Sequence, residues 1–211
     1  MAYTFDDWKD RIRSRIDLCT QVTHLTKGAT IDGIKYSPLK ILIKILNERT
    51  IIGSDTAEGF IVGNRRAVCF MDAPLYSICE NTDFEKELRK RKLSNRIKYM
   101  PFGLMFPKRY IYLKGGRPVI YDKTDVAKSY LNEDEWWRIV RFDLSEKDSI
   151  IDWTHEREWR LPGEFKFDIN KATVVVPNTI QYNNFFKEAN EVDEEIANNI
   201  NSIVNLATLF L

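Results

Sequence analysis

The sequence predicts an α+β fold. Short β-rich runs crowd the middle of the chain, and amphipathic helical patterns sit near the front and at the end. Neither a G-x-G-x-x-G nor a G-x-x-x-x-G-K-[ST] motif is present. The first two observations argue against a regular βαβ series. The third disfavours a Rossmann dinucleotide site and a P-loop.

Residues 4–18 read as the first helix. Thr4 can cap it, Asp6 and Asp7 suit the first turn, and Phe5, Trp8, Ile12 and Ile16 recur at helical spacing. "QVTHLTKG" then reads as a short strand ending at Lys27-Gly28. Ser37-Pro38 opens a second helix with Pro at its first position, and Leu39, Leu42, Ile43, Ile45 and Leu46 face a core. "RRAVCFMDAPL" is a β-rich run broken by Pro74. Residues 83–98 form a charged helix or helix pair. "YMPFGLMFP" and "YIYLKGGRPVIYD" look like paired strands, with Gly115-Gly116 in the turn. "EWWRIVRFDLS" and "KATVVVPN" are further strands. From about Asp193, Ile196, Ile200, Ile203, Val204, Ala207 and Phe210 share a helical face, which predicts a C-terminal helix ending in the apolar "TLFL".

No internal repeat, low-complexity tract or linker interrupts the 211 residues, so one domain over 1–211 is expected. Net charge is +1, so attraction to a polyanion must come from a local patch. No segment reads as membrane-spanning, since "SPLKILIKILN" is short and carries Lys40 and Lys44. The N-terminus has no apolar signal core, which points to the cytoplasm. Three cysteines without C-x-x-C spacing and two histidines argue against a structural zinc, and no metal is expected.

Four stretches can carry chemistry. In "DWTHEREWRLPG" an extended backbone puts Thr154, Glu156, Glu158 and Arg160 on one face, with neighbours about 7 Å apart. Two carboxylates so placed can divide labour in glycosidic bond cleavage. One stabilises the oxocarbenium-like transition state and the other activates an acceptor. The plainer alternative is a solvated strand face bridged to Arg160. "THLT" places His24 and Thr26 together, either to hydrogen-bond ribose hydroxyls or an amide, or as a satisfied, partly buried pair. In "AVCFMDAPL" Phe70 can stack on a flat ring and Asp72 can face a ribose, or the stretch is core and turn cap. "KELRKRKLSNRIK" carries seven basic residues, Arg96 and Lys98 among them, suited to phosphates or simply to solvent.

Taken in order over roughly residues 20–176, the H-x-T strand, the "PLKILIKILNERTI" helix and the late E-x-E strand resemble the ADP-ribosyltransferase superfamily. The resemblance implies a split β-sheet cleft that binds NAD as co-substrate without a Rossmann fingerprint. It implies that His24 and Thr26 hold the nicotinamide ribose and amide. Glu158 would stabilise the cation and Glu156 would orient the acceptor. The family's second-strand Tyr is missing, and Phe70 or Tyr76 stands nearest its place. The middle, "AVCFMDAPLYSI" with "YMPFGLMFPKRYIYLKGGRPVIYD", is also similar to abortive-infection proteins of the AbiGi type. The resemblances together imply a phage-defence toxin or effector that transfers ADP-ribose to a nucleic acid, RNA over single-stranded DNA, with Arg96, Lys98 and Arg160 on the substrate. An antitoxin is a possible partner. A non-catalytic antitoxin or regulatory protein is the alternative. A nuclease that uses Glu156, Glu158 and Asp72 for Mg²⁺ is a third reading.

Overall fold

The computed structural model describes residues 2–57, 61–92 and 99–210. Its elements, in order, are α1 (Phe5–Arg13), β1 (Gln21–Leu25), β2 (Ala29–Ile31), β3 (Ile34–Tyr36), α2 (Pro38–Glu48), β4 (Thr50–Ile52), β5 (Ala67–Met71) and α3 (Leu75–Lys90). There follow β6 (Gly103–Pro107), α4 (Lys108–Leu113), β7 (Arg117–Pro118), β8 (Ile120–Asp122), α5 (Thr124–Tyr130) and β9 (Ile139–Arg141). The chain closes with β10 (Glu158–Pro162), β11 (Glu164–Lys166), β12 (Thr173–Val176), α6 (Thr179–Val192), α7 (Glu194–Asn199) and β13 (Ser202–Asn205).

Local chemistry explains the best-defined helices. Thr4 and Asp7 form a reciprocal capping box that starts α1. Ile16, expected on that helix's apolar face, lies beyond its end and is exposed. Ser37 caps α2 through the Lys40 N–H, Pro38 opens it, and Arg49 ends it in the left-handed conformation. Leu39, Leu42, Ile43 and Leu46 are all buried.

A mixed seven-stranded sheet, in the order β13-β12-β6-β1-β5-β10-β7, forms the frame. All its neighbours are antiparallel except β12 and β13. Alternation along the strands sends Val22, Phe70, Leu104, Phe106, Leu161, Val174 and Val176 to one face. There they meet α2, Phe165 and Phe185 in the main core. On the other face Met71, Cys79, Met105, Trp137, Val175 and Leu206 form smaller clusters. The sheet is not divided, but it narrows between β1 and β5 to a single registered pair, Thr23 with Met71.

Several expected elements differ. "YIYLKGGRPVIYD" does not pair with β6, which lies between β1 and β12. Residues 108–113 wind into α4 because one turn there buries Ile111 and lays Tyr110 against Phe106 and Phe165. The charged helix starts earlier, at Leu75 directly after Pro74. Residues 133–138 form a 3₁₀ turn that buries Trp137 before the short β9. The C-terminal helix stops at Asn199. Residues 202–205 instead pair in parallel with β12, where Ile203 and Val204 suit a strand. No described helix is long and apolar enough to cross a membrane.

Candidate active site

The seam between β1 and β5 collects the most unusual chemistry in the described chain. His24 lies where β1 leaves β5. Its Nδ1 is 2.9 Å from the Cys69 carbonyl oxygen, and its ring meets Phe70 edge-on. A carbonyl only accepts, so Nδ1 carries the hydrogen. Burial lowers the imidazole pKa and outweighs the opposing bond to Cys69. His24 is therefore a neutral ring whose Nε2 is an acceptor.

On the far side of β5, Glu158 stands opposite Met71 and Arg160 opposite Cys69. Arg160 is 2 % exposed and grips the Glu158 carboxylate with two donors, Nε to Oε1 at 2.8 Å and Nη2 to Oε2 at 3.3 Å. Its Nη1 donates to the carbonyls of Trp137 and Ile139 at 2.8 and 2.9 Å. Burial works most strongly against the guanidinium charge, and Glu158 together with Cys69 more than offsets it, so the Arg160 pKa lies above its ordinary value. Cys69 is the sheet partner of Arg160, which sets its thiol beside this pair. Burial first, and the Glu158 charge second, push that thiol well above the usual range, so it is a neutral donor rather than a nucleophile.

The E-x-E stretch is not one extended strand. Thr154–Glu156 form a 3₁₀ turn, and Arg157 takes the left-handed conformation at φ 44°. β10 begins only at Glu158. The corner replaces the expected alternation, and Glu156 instead accepts from the Tyr99 hydroxyl. Both carboxylates still act on Cys69, since the charge of Glu156 also raises its thiol pKa.

The other predicted residues separate. Arg160 is too buried to touch an acceptor; it is the structural partner of Glu158. Phe70 is 2 % exposed and packs in the core against Phe106 and Phe165, so no ring can stack on it. Thr26 is buried, with its hydroxyl directed to the Phe102 carbonyl. Asp72 is held by Lys108 at 2.8 Å and by the Trp159 indole N–H at 3.2 Å. The nuclease arrangement does not assemble, because no group of three His, Cys, Asp or Glu residues gathers among the described residues. Arg96 and Lys98 lie outside the described residues.

His24 and Glu158 thus lie on either side of one strand but on opposite faces of the sheet, so the single cleft expected to hold both does not assemble at the seam. Register places Glu158 on the Met71 face, and alternation places His24 with Phe70 on the other. Cys69 lies between them, its carbonyl bonded to the ring and its thiol under the charge of the carboxylate.

Three residues at this seam carried no motif in the sequence. They are Cys69, Tyr99 and Tyr121, whose hydroxyl oxygen accepts the Glu158 backbone N–H at 2.8 Å. Cys69 arrives by pairing of β5 with β10, Tyr121 from β8 of a separate two-stranded sheet, and Tyr99 from outside the strands. Beside the end of β1 an open groove of about 560 Å³ runs along Lys27, Gly28, Lys35, Tyr36, Pro38 and Met100. Comparison with protein-family models, with curated proteins and with solved structures finds no match to this chain.

Proposed function

We propose that this chain is an NAD-dependent ADP-ribosyltransferase. Its sheet is undivided but narrows to one registered pair at the β1–β5 seam, and in this reading that narrowing stands where the resemblance implies a split sheet. Nucleic acid is the acceptor, RNA in preference to single-stranded DNA, and the setting is a cytoplasmic phage-defence response. The observation that carries the reading is the buried Glu158 carboxylate, held in one orientation by Arg160 at the strand next to the narrowest point of the sheet.

Two further features support it. The neutral His24 Nε2 suits a ribose hydroxyl donor. The groove that starts at Lys27, three residues after His24, offers two lysines and the N-terminus of α2 to a pyrophosphate, in a volume within the range of about 300–1,000 Å³ for small-molecule sites. NAD supplies a C–N glycosidic bond whose cleavage leaves positive charge on the ribose. The chain's part is to hold a fixed anion there. Arg160 keeps the Glu158 carboxylate in one orientation. A carboxylate has about four acceptor sites, so Glu158 retains capacity beyond Arg160 and Cys69. Glu156, steadied by Tyr99, is the second carboxylate, for the acceptor.

The test is transfer of label from adenylate-labelled NAD to RNA, single-stranded DNA and protein. Glu158→Gln is expected to lower transfer by about 10²–10³-fold, assayed below the variant's own measured Tm. Undiminished transfer by folded Glu158→Gln would remove the glutamate from this role. One observation favours the non-catalytic binding-protein reading: Arg160 already neutralises Glu158. That reading expects no heat on titration with NAD and a tight protein partner.

A further inference from the structure

A second groove, of about 640 Å³, lies between α2 and α6. Its walls are two helix faces of the same periodicity. Lys40, Ile43, Lys44 and Asn47 come from α2, and Asn184, Lys187, Glu188 and Glu191 from α6. Each set follows i, i+3, i+4, i+7, the spacing of one side of a helix. Tyr36 of β3 lines both this groove and the one beside β1, so the two meet at an aromatic ring.

Charge decides what fits. Together the grooves are lined by five lysines against two glutamates. The whole chain has a net charge of only +1, so this strip is more positive than the protein that carries it. Lys44 also pairs with Glu48 of its own helix, which leaves Lys40 and Lys187 as the cations of the second groove most open to an anion. Along α2, Lys40 and Lys44 are separated by about 6 Å of axial rise. Glu188 and Glu191 are the two carboxylates of the lining, and both are acceptors. A polyphosphate or an acidic peptide side chain brings only acceptors. A nucleotide brings backbone anions for the lysines, together with exocyclic amines or a 2′-hydroxyl as donors for the lining carboxylates. Asn47 and Asn184 add amides able to pair with base edges, and Tyr36 adds a stacking surface.

We propose that the α2–α6 groove binds a single-stranded nucleic acid, with its phosphates on Lys40, Lys44 and Lys187 and a base on Tyr36. The strand's role as acceptor rests on the transferase reading above; its binding does not. This places the nucleic-acid surface on α2 and α6 rather than on the basic run that follows Lys86.

The test is fluorescence anisotropy without NAD, using fluorescein-labelled single-stranded RNA of about twelve nucleotides and the matching DNA. Three proteins are titrated from about 50 to 200 mM salt: wild type, Lys40→Gln/Lys44→Gln/Lys187→Gln, and Lys86→Gln/Arg89→Gln/Lys90→Gln, which removes the same charge from α3. The groove variant is expected to bind about tenfold more weakly, with a salt slope shallower by about 2, which is about 0.7 for each of three lost contacts. The α3 variant is expected to change affinity less than about twofold. Tyr36→Leu, which keeps every charge, is expected to weaken binding with the salt slope unchanged. The proposal is overturned if wild type binds neither strand, or if the α3 variant loses binding while the groove variant keeps it. Because NAD is absent, either failure is distinguishable from a failure of the Glu158 transfer assay, which tests the chemistry separately.

Discussion

Replacing Arg160 with leucine tests how the site is held. The side chain is 2 % exposed and donates two hydrogen bonds to Glu158 and one each to the Trp137 and Ile139 carbonyls. Arg160→Leu strands a carboxylate whose side chain is only 9 % exposed. Breaking one partner of such a pair costs about 3–5 kcal/mol. Two carbonyls that lose a charged donor add about 1 kcal/mol more. The expected loss is about 4–6 kcal/mol, against a total stability of about 5–15 kcal/mol. Tm should fall by about 10–20 °C for a chain of this size. Glu158→Leu/Arg160→Leu removes the stranded charge and should recover at least about 2 kcal/mol of that loss, because a well-packed apolar pair replaces a buried ion pair at little cost. Urea unfolding followed by tryptophan fluorescence gives both midpoints and their m-values. A loss below about 1 kcal/mol in the single variant, or a double variant no more stable than the single, would show that the ion pair does not hold the seam.

Two other outcomes follow from the same geometry. Burial depresses the His24 pKa, so the unfolded chain takes up a proton near pH 6.5 before the folded one does. His24 therefore costs stability as pH falls from about 6.5 through its lower folded pKa, by at most about 1.4 kcal/mol per unit in that window. Urea midpoints between pH 5 and 7 should fall less steeply for His24→Gln than for wild type, and parallel curves would contradict the burial. At Gly103, an added Cβ would lie 2.5 Å from the His24 carbonyl oxygen, a backbone atom with no room to yield. Gly103→Ala should cost about 1–3 kcal/mol by forcing β6 from β1, and a urea midpoint equivalent to wild type within about 0.5 kcal/mol would refute that.

The parts of the fold legible in the sequence are those that local chemistry fixes. Ser37-Pro38 and the apolar period after it define α2. Thr4 with Asp7 starts α1. The Val-rich run over 173–176 is buried throughout, as its composition requires. The candidate site was legible only as residue types. His24 and Glu158 both reach the seam, but the even alternation expected across 154–160 is broken by the left-handed Arg157. Nothing in a six-residue window distinguishes that corner from a strand. α6 gave no signal strong enough to name, although Asn178 caps it and it buries Phe185 and Ala189 one turn apart.

By itself, then, the sequence determined where α1 and α2 start and that the strand over 173–176 must be buried, while the end of α1, the start of α3 and the end of the C-terminal helix were misplaced. Caps, prolines and apolar periods act within a few residues, so they are readable one residue after another. Tertiary structure alone decided that β13 extends the sheet beside β12, that Arg160 turns inward to Glu158, that Cys69 stands between His24 and that carboxylate, and that α2 and α6 face each other across a lysine-lined groove. Each of these joins residues far apart in the chain. Their energy comes from burial and pairing that exist only once the sheet has closed.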